Sequence, residues 1–166
     1  MKNAARTTDS WKNMEFCSFQ MAEQLYGVNI IDIKEITSVT RFTLIHHAPS
    51  HIKGYLNIRG LVHLVLDFRQ MIGLEPAEIT EDSRVILLMP QVGPSFGILV
   101  DRIGNVVTVN EDQISERRGS RPQAESSDTE RRTHSFSMGV YMLKEELLVL
   151  INARQLLRKT SNDTTR

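Results

Sequence analysis

At 166 residues the chain fits one compact domain, or two small subdomains sharing a core. Hydrophobic residues at 40 % and charged residues at 24 % are ordinary globular usage, which argues against a disordered chain or a disulfide scaffold. Lys plus Arg and Asp plus Glu each number 20, so no global positive field recruits nucleic acid or anionic lipid, and neither is expected as a partner.

Residues 1–13 hold basic side chains with no apolar segment behind them, and read as a flexible N-terminus. No uninterrupted apolar run approaches about 18 residues, so membrane insertion is not expected. The folded part is expected over 14–157. Cys17, Phe19 and Met21 alternate with other side chains, and Tyr26, Val28 and Ile30 do so again, which predicts a hairpin with one buried face. Ile33 and Ile36, three apart, predict a short helical turn with Glu35 pointing away from the core. Pro49 and Gly54 bracket a sharp turn.

A second hairpin follows, from Tyr55 through Asn57-Ile58-Arg59-Gly60 into Leu61–Leu66. That last run, bounded by Gly60 and Asp67, predicts a strand buried on both faces, with a short buried helix as the alternative. Further strands are expected at Arg84–Met89, Phe96–Val100, Val106–Val109, Val140–Leu143 and Leu147–Ile151, a spacing that suits a sandwich or barrel. Ser115–Ser137 is rich in Arg, Ser, Glu and Gln and reads as a mobile polar loop. Asn152 is a candidate N-cap for a short helix with Leu156 and Leu157, and 158–166 reads as a flexible tail. No repeat of solenoid period is present.

Catalytic patterns are missing where they would be sought. There is no Gly-rich loop ahead of Lys and Ser or Thr, and no G-x-G-x-x-G. His46, His47, His51 and His63 cluster in sequence, and a small His-dependent metalloenzyme is the remote alternative. The adjacent His46 and His47 would diverge, however, and no carboxylate is spaced to complete the set, so no metal is expected. Cys17 is the only cysteine, which rules out an intramolecular disulfide and suits a reducing, cytoplasmic setting. It reads as an ordinary buried thiol. No serine sits at a strand-to-helix elbow. Glu35, Lys53, Arg59, Asp67, Arg69, Asp101 and Arg102 occupy turn positions, where a charge ordinarily caps a turn or forms a pair worth about 0–1 kcal/mol.

Taken in order, several segments resemble the CheW-like coupling-protein family of bacterial chemotaxis. They are Tyr26-Gly27-Val28-Asn29-Ile30, Ile33-Lys34-Glu35-Ile36, Ala48-Pro49 with Ile52-Lys53-Gly54, and Asn57-Ile58-Arg59-Gly60 with Asp67-Phe68-Arg69. Phe96 to Asp101 with Val106-Val107, and Leu147 to Leu157, continue the match from about Phe16 onward. The resemblance implies a mostly β fold of two intertwined five-stranded SH3-like barrels with short helices, one of them C-terminal. It also implies a non-enzymatic, cofactor-free chemosensory adaptor joining the cytoplasmic tip of methyl-accepting receptors to the regulatory domain of a CheA-type histidine kinase. Its place would be in receptor arrays at the inner face of the membrane.

Carried over by position, the receptor face would comprise Ile33, Glu35, Lys53, Asn57 and Arg59. Ile33 would give apolar contact, and Arg59 a fork-like pair with a receptor carboxylate. Gly60 would shape the turn, Asp67 and Arg69 would act as brace or contact, and Val65 and Met71 would either face the kinase or belong to the core. Leu64 stands where many relatives have Pro, the His-rich segment departs likewise at His46, and the polar insertion at 115–137 is long. These departures leave open service to pili or another non-flagellar system.

Overall fold

The computed structural model describes residues 13–39, 41–115 and 127–160. Ten strands form two five-stranded sheets. The first sheet joins strands from both ends of the chain: β1 (Asn13–Met21), β2 (Gln24–Asn29), β8 (Arg102–Asn110), β9 (Ser137–Leu143) and β10 (Glu146–Ile151), in the order β8-β1-β2-β10-β9. The second holds the middle of the chain: β3 (Ile33–Ser38), β4 (Ile52–Ile58), β5 (Leu61–Asp67), β6 (Arg84–Leu88) and β7 (Phe96–Val100), in the order β3-β6-β7-β5-β4. Helices α1 (Phe68–Met71), α2 (Asp128–Phe136) and α3 (Arg154–Thr160), with 3₁₀ turns at Ile30–Asp32 and Glu111–Gln113, connect or end the strands. The mostly β, two-sheet architecture expected from the sequence is the one observed.

Three apolar clusters explain why so many strands lack polar alternation. Along β6, Val85 and Leu87 point into a cluster with Leu56, Val65 and Leu99, inside the second sheet. Ile86 and Leu88 point the other way, into the large core that both sheets share. In β10, Leu148 and Leu150 join Phe16 and Val109 inside the first sheet, whereas Val149 and Ile151 join the shared core. Period-two alternation therefore sorts side chains between two apolar compartments, not between core and water. At the centre, Phe68 places its ring 5.5 Å from Phe19, 5.4 Å from Tyr26 and 6.5 Å from Phe136, binding both sheets and α2 together.

Several expectations are corrected by this arrangement. The first hairpin forms, with Cys17 facing Val28, but Phe16, Cys17, Ser18 and Phe19 are all buried, since β1 is covered on both faces. Ile33–Ile36 is part of strand β3, and the short helical turn lies just before it, at Ile30–Asp32. Glu35 is half-buried and Ile36 exposed, the reverse of the helical expectation, because a strand sends them to opposite faces. Strand β5 is buried only over its second half, for Leu61 and Val62 are 58 % and 55 % exposed.

The expected mobile loop contains helix α2. A full capping box starts it: the Ser127 hydroxyl accepts from the Glu130 N–H, and the Glu130 carboxylate accepts from the Ser127 N–H. Phe136 and Thr133 provide the buried face that composition alone seemed to lack. The rest of the expected loop, 116–126, lies outside the described residues, as do 1–12 of the expected N-terminus and 161–166 of the tail. Helix α3 continues to Thr160, beyond the expected start of the tail. Its Asn152 cap is present, with Oδ1 accepting from the Arg154 N–H at 3.1 Å.

Candidate functional site

The tip of the β4–β5 hairpin is the most deliberately built polar feature of the surface. Ile58 pairs with Leu61, so Arg59 and Gly60 form a two-residue loop, and both have positive φ, 50° and 84°. Two successive left-handed residues match the twist of a hairpin. Glycine adopts this conformation freely, but Arg59 must be held there. The Asn57 side chain does part of the holding, accepting from the Gly60 N–H at 2.9 Å. Glu35 does the rest from strand β3: Arg59 donates through both terminal nitrogens to its two carboxylate oxygens, at 3.2 and 3.0 Å. β3 and β4 are opposite edges of the second sheet, so this pair also marks where the sheet curls back towards itself.

The Arg59 side chain is 79 % exposed and that of Glu35 29 %. An exposed pair of this kind stabilises the fold by about 0–1 kcal/mol. Its effect is orientation: two of the five guanidinium donors are fixed on Glu35 and the others face outward. Below the tip, His63 is buried on β5. Burial lowers its pKa, with the Lys34 charge adding to the fall and Glu35 opposing it, so a neutral imidazole lies under the ion pair.

The structure brings together only part of the expected receptor face. Ile33, Glu35, Asn57 and Arg59 sit on β3 or the tip, but Lys53 occupies the opposite end of β4, about 20 Å along the strand from Arg59. There its charge acts on Asp67. Of the two readings of Val65 and Met71, the structure supports the core and not the kinase contact. Val65 is fully buried inside the second sheet and Met71 is packed in the shared core, so neither side chain is available to a partner.

Asp67 and Arg69 form a brace. Asp67 caps α1, its Oδ1 accepting from the N–H groups of Arg69 and Gln70 at 3.0 and 3.4 Å. Burial pushes its carboxyl above the ordinary range, and these hydrogen bonds and the Lys53 and Arg69 charges only partly offset that. Arg69 makes a fork with Asp101, Nε and Nη2 donating at 2.9 and 2.8 Å, and Nη1 reaches the Glu75 carbonyl. At Asp101 burial raises the pKa, but the Arg69 guanidinium and the Ala22 N–H outweigh it and hold the carboxyl below its usual range. Arg102 pairs instead with Asp82 at the surface. The Arg69–Asp101 link was beyond sequence reasoning, because nothing in the spacing of two residues on different elements announces it.

Among the described residues no three His, Cys, Asp or Glu side chains converge as metal ligands. His46 and His47 are exposed in a turn, while His51 and His63 sit on or beside the strands that follow. The Leu64 N–H donates to the Ser95 carbonyl at 3.0 Å, a bond a proline at this position could not make. Sequence reasoning missed the exposure of Leu61 and Val62 beside the tip, since nothing in their apolar run distinguished its exposed start from its buried end. No helix among the described residues is long and apolar enough to cross a membrane.

Two five-stranded sheets thus carry a charged hairpin tip with exposed aliphatic side chains beside it. The CheW-like domain model matches residues 15–161, and the chain belongs to that family. It is 30 % identical over 151 residues to the probable chemotaxis protein CheW of Rhizobium etli, covering 90 % of each chain. It is 31 % identical over 153 residues to the chemotaxis protein CheW of Rhizobium meliloti, covering 91 % of each. Among solved structures, the scaffolding protein TtCheW from Thermoanaerobacter tengcongensis matches with a TM-score of 0.70 at 26 % identity, over 84 % of this chain and 89 % of that one. The chain's role is that of a chemotaxis coupling adaptor of the CheW kind.

Proposed function

We propose that this adaptor bridges the helical-hairpin tip of a methyl-accepting chemoreceptor and the regulatory domain of a CheA-type histidine kinase, without turning over a substrate. Its place is in cytoplasmic receptor arrays. The observation that carries the reading is the β4–β5 tip, where Glu35 and Asn57 hold Arg59 in a costly backbone conformation with guanidinium donors facing outward. A receptor helix offers an apolar stripe rimmed by charge. The exposed Leu61 and Val62 supply the apolar complement, Ile33 being packed against the shared core, and Arg59 sets register on a carboxylate while Glu35 repels a misplaced one. Coupling then follows from linkage: whichever kinase state the assembled contacts favour becomes more populated.

The test is calorimetric titration of the chain against the regulatory domain of the CheA-type kinase from the same cell, and separately against receptor signalling fragments. Saturable one-to-one kinase binding at about micromolar affinity or tighter supports the bridge. Arg59→Asp should weaken receptor association about tenfold or more while thermal unfolding stays within about 1 kcal/mol of the parent. Undiminished receptor binding by that variant, or a sharp fall in stability, removes the tip from the docking surface.

A further inference from the structure

Helix α2 encloses a cleft of about 280 Å³ against strands β2, β9 and β10 of the first sheet. That volume is near the lower end of the range that takes small molecules. Its apolar lining comes from Val140, Leu147 and Val149. Its polar lining includes two deeply buried hydroxyls, on Tyr26 at 2 % exposure and Thr133 at 9 %. Burial raises the Tyr26 pKa, with Thr133 pulling it partly back, so the phenol stays a neutral donor. The downward pull on Tyr26 is a weak hydrogen-bonding interaction with the Thr133 hydroxyl, but the pair falls short of full hydrogen-bond geometry, and by that geometry Thr133 Oγ1 is left without a partner. Buried hydroxyls are normally paired, so an unpaired one among the lining groups of a cleft marks where a ligand atom can bind. Gln24 spends its amide N–H groups on the carbonyls of Leu25 and Leu147, at 3.0 and 2.7 Å, which leaves only its Oε1 to offer.

We infer that this cleft binds a small uncharged amphiphile, with a hydroxyl or amide group between Tyr26 and Thr133 and an apolar body over Val140, Leu147 and Val149. A neutral phenol donates to the ligand oxygen, and the Thr133 hydroxyl donates or accepts as that group requires. Glu130 and His134 also line the cleft, and the Glu130 carboxylate, held by the Ser127 N–H, disfavours an anion. Occupancy ties α2, which runs directly into β9, to the sheet beneath it. The cleft is on the first sheet and the charged tip on the second, so this inference stands apart from the bridging role.

The experiment is a proton–nitrogen and methyl NMR titration of the full chain with cyclohexanol, and in parallel with cyclohexanecarboxylate. The alcohol should give saturable shifts at Tyr26, Thr133 and Val149 with a dissociation constant of about a millimolar, the range a seven-heavy-atom fragment can reach. The carboxylate should bind at least about tenfold more weakly. Thr133→Val, nearly isosteric, should lose most of the alcohol affinity while keeping the parent spectrum elsewhere. Should Thr133→Val perturb the spectrum broadly, Val140→Phe, which fills the cleft, replaces it and must abolish the shifts. Absence of saturation at these residues, equal binding of the carboxylate, or full affinity in the altered cleft overturns the inference.

Discussion

The two sheets follow one plan, and their differences show which parts serve the fold and which serve the surface. Each has an edge strand, an antiparallel pair, a parallel contact and a closing hairpin: β3, β6–β7 and β5–β4 in the second, β8, β1–β2 and β10–β9 in the first. The correspondence reaches single residues. The sequence offset that separates Gly54 from Gly139 also takes Arg59 to Lys144, Asp67 to Asn152 and Arg69-Gln70 to Arg154-Gln155. Gly54 and Gly139 both have large positive φ just before an isolated bridge, and a Cβ on Gly54 would collide with the Thr43 carbonyl. Arg59 and Lys144 are both left-handed, at 50° and 43°. Asp67 and Asn152 both accept from the N–H two residues on.

What differs falls at the tips and at the core beneath the caps. One tip carries the Glu35–Arg59 pair with exposed Asn57; at the corresponding place on the other hairpin Met142 is 62 % exposed. Behind the caps, Phe68 fills the shared core on one side and the small Ala153 sits on the other. The repeated geometry is the scaffold, and the unmatched side chains are where each half was specialised.

Exchanging these unmatched residues breaks the comparison most severely in the core. Phe68→Ala should cost about 3–5 kcal/mol in denaturant unfolding, since four aromatic rings meet there. The reciprocal Ala153→Phe should cost about 1–3 kcal/mol by overpacking. Equal small effects would mean that the core tolerates either size on either side.

The brace comes next. Arg69→Ala should lose about 2–3 kcal/mol, because Asp101, with 31 % of its side chain exposed, loses its charged partner and keeps only the Ala22 N–H. Asp101 has a lowered folded pKa, so its stabilisation is present above the ordinary carboxylate range and is lost as pH falls through the folded value. The variant's stability should therefore fall less steeply on acidification than the parent's, which unfolding curves at stepped pH will show.

The smallest effect sharpens the likeness. Asp67→Asn makes one cap resemble the other, and should change stability at pH 7 by less than about 1 kcal/mol, since Asn caps nearly as well. The raised folded pKa of Asp67 means a penalty above that pKa, relieved as pH falls through it. The variant should lack this relief. A loss much above 1 kcal/mol at pH 7 would show that the Asp67 charge, facing Lys53 and Arg69, is needed.

How much was legible varied with the range of the interaction. Strand positions from Arg84 onward were readable because β-branched and aliphatic runs between turn residues are local signals. Asn152 was readable as a cap for the same reason. The strand at Ile33–Ser38 was misread because four residues with Ile at both ends fit a helical turn as well as a strand. Helix α2 was missed because its composition is polar and its buried face amounts to Thr133 and Phe136. At the candidate site the sequence pointed to Glu35, Asn57 and Arg59, but not to their closure on one another.

By itself, then, the sequence determined the supply of strands, the turn chemistry at Asn57 to Gly60 and the kinship of the chain, since each is written in neighbouring residues. Only the tertiary structure decided that Val65 and Met71 are core, that Leu61 and Val62 are surface, that Lys53 stands apart from Arg59 and that Arg69 holds Asp101. The reason is physical: apolar residues in a two-faced sheet look alike whether they face one core, a second core or water. Which of the three they meet is set by strands far away in the chain.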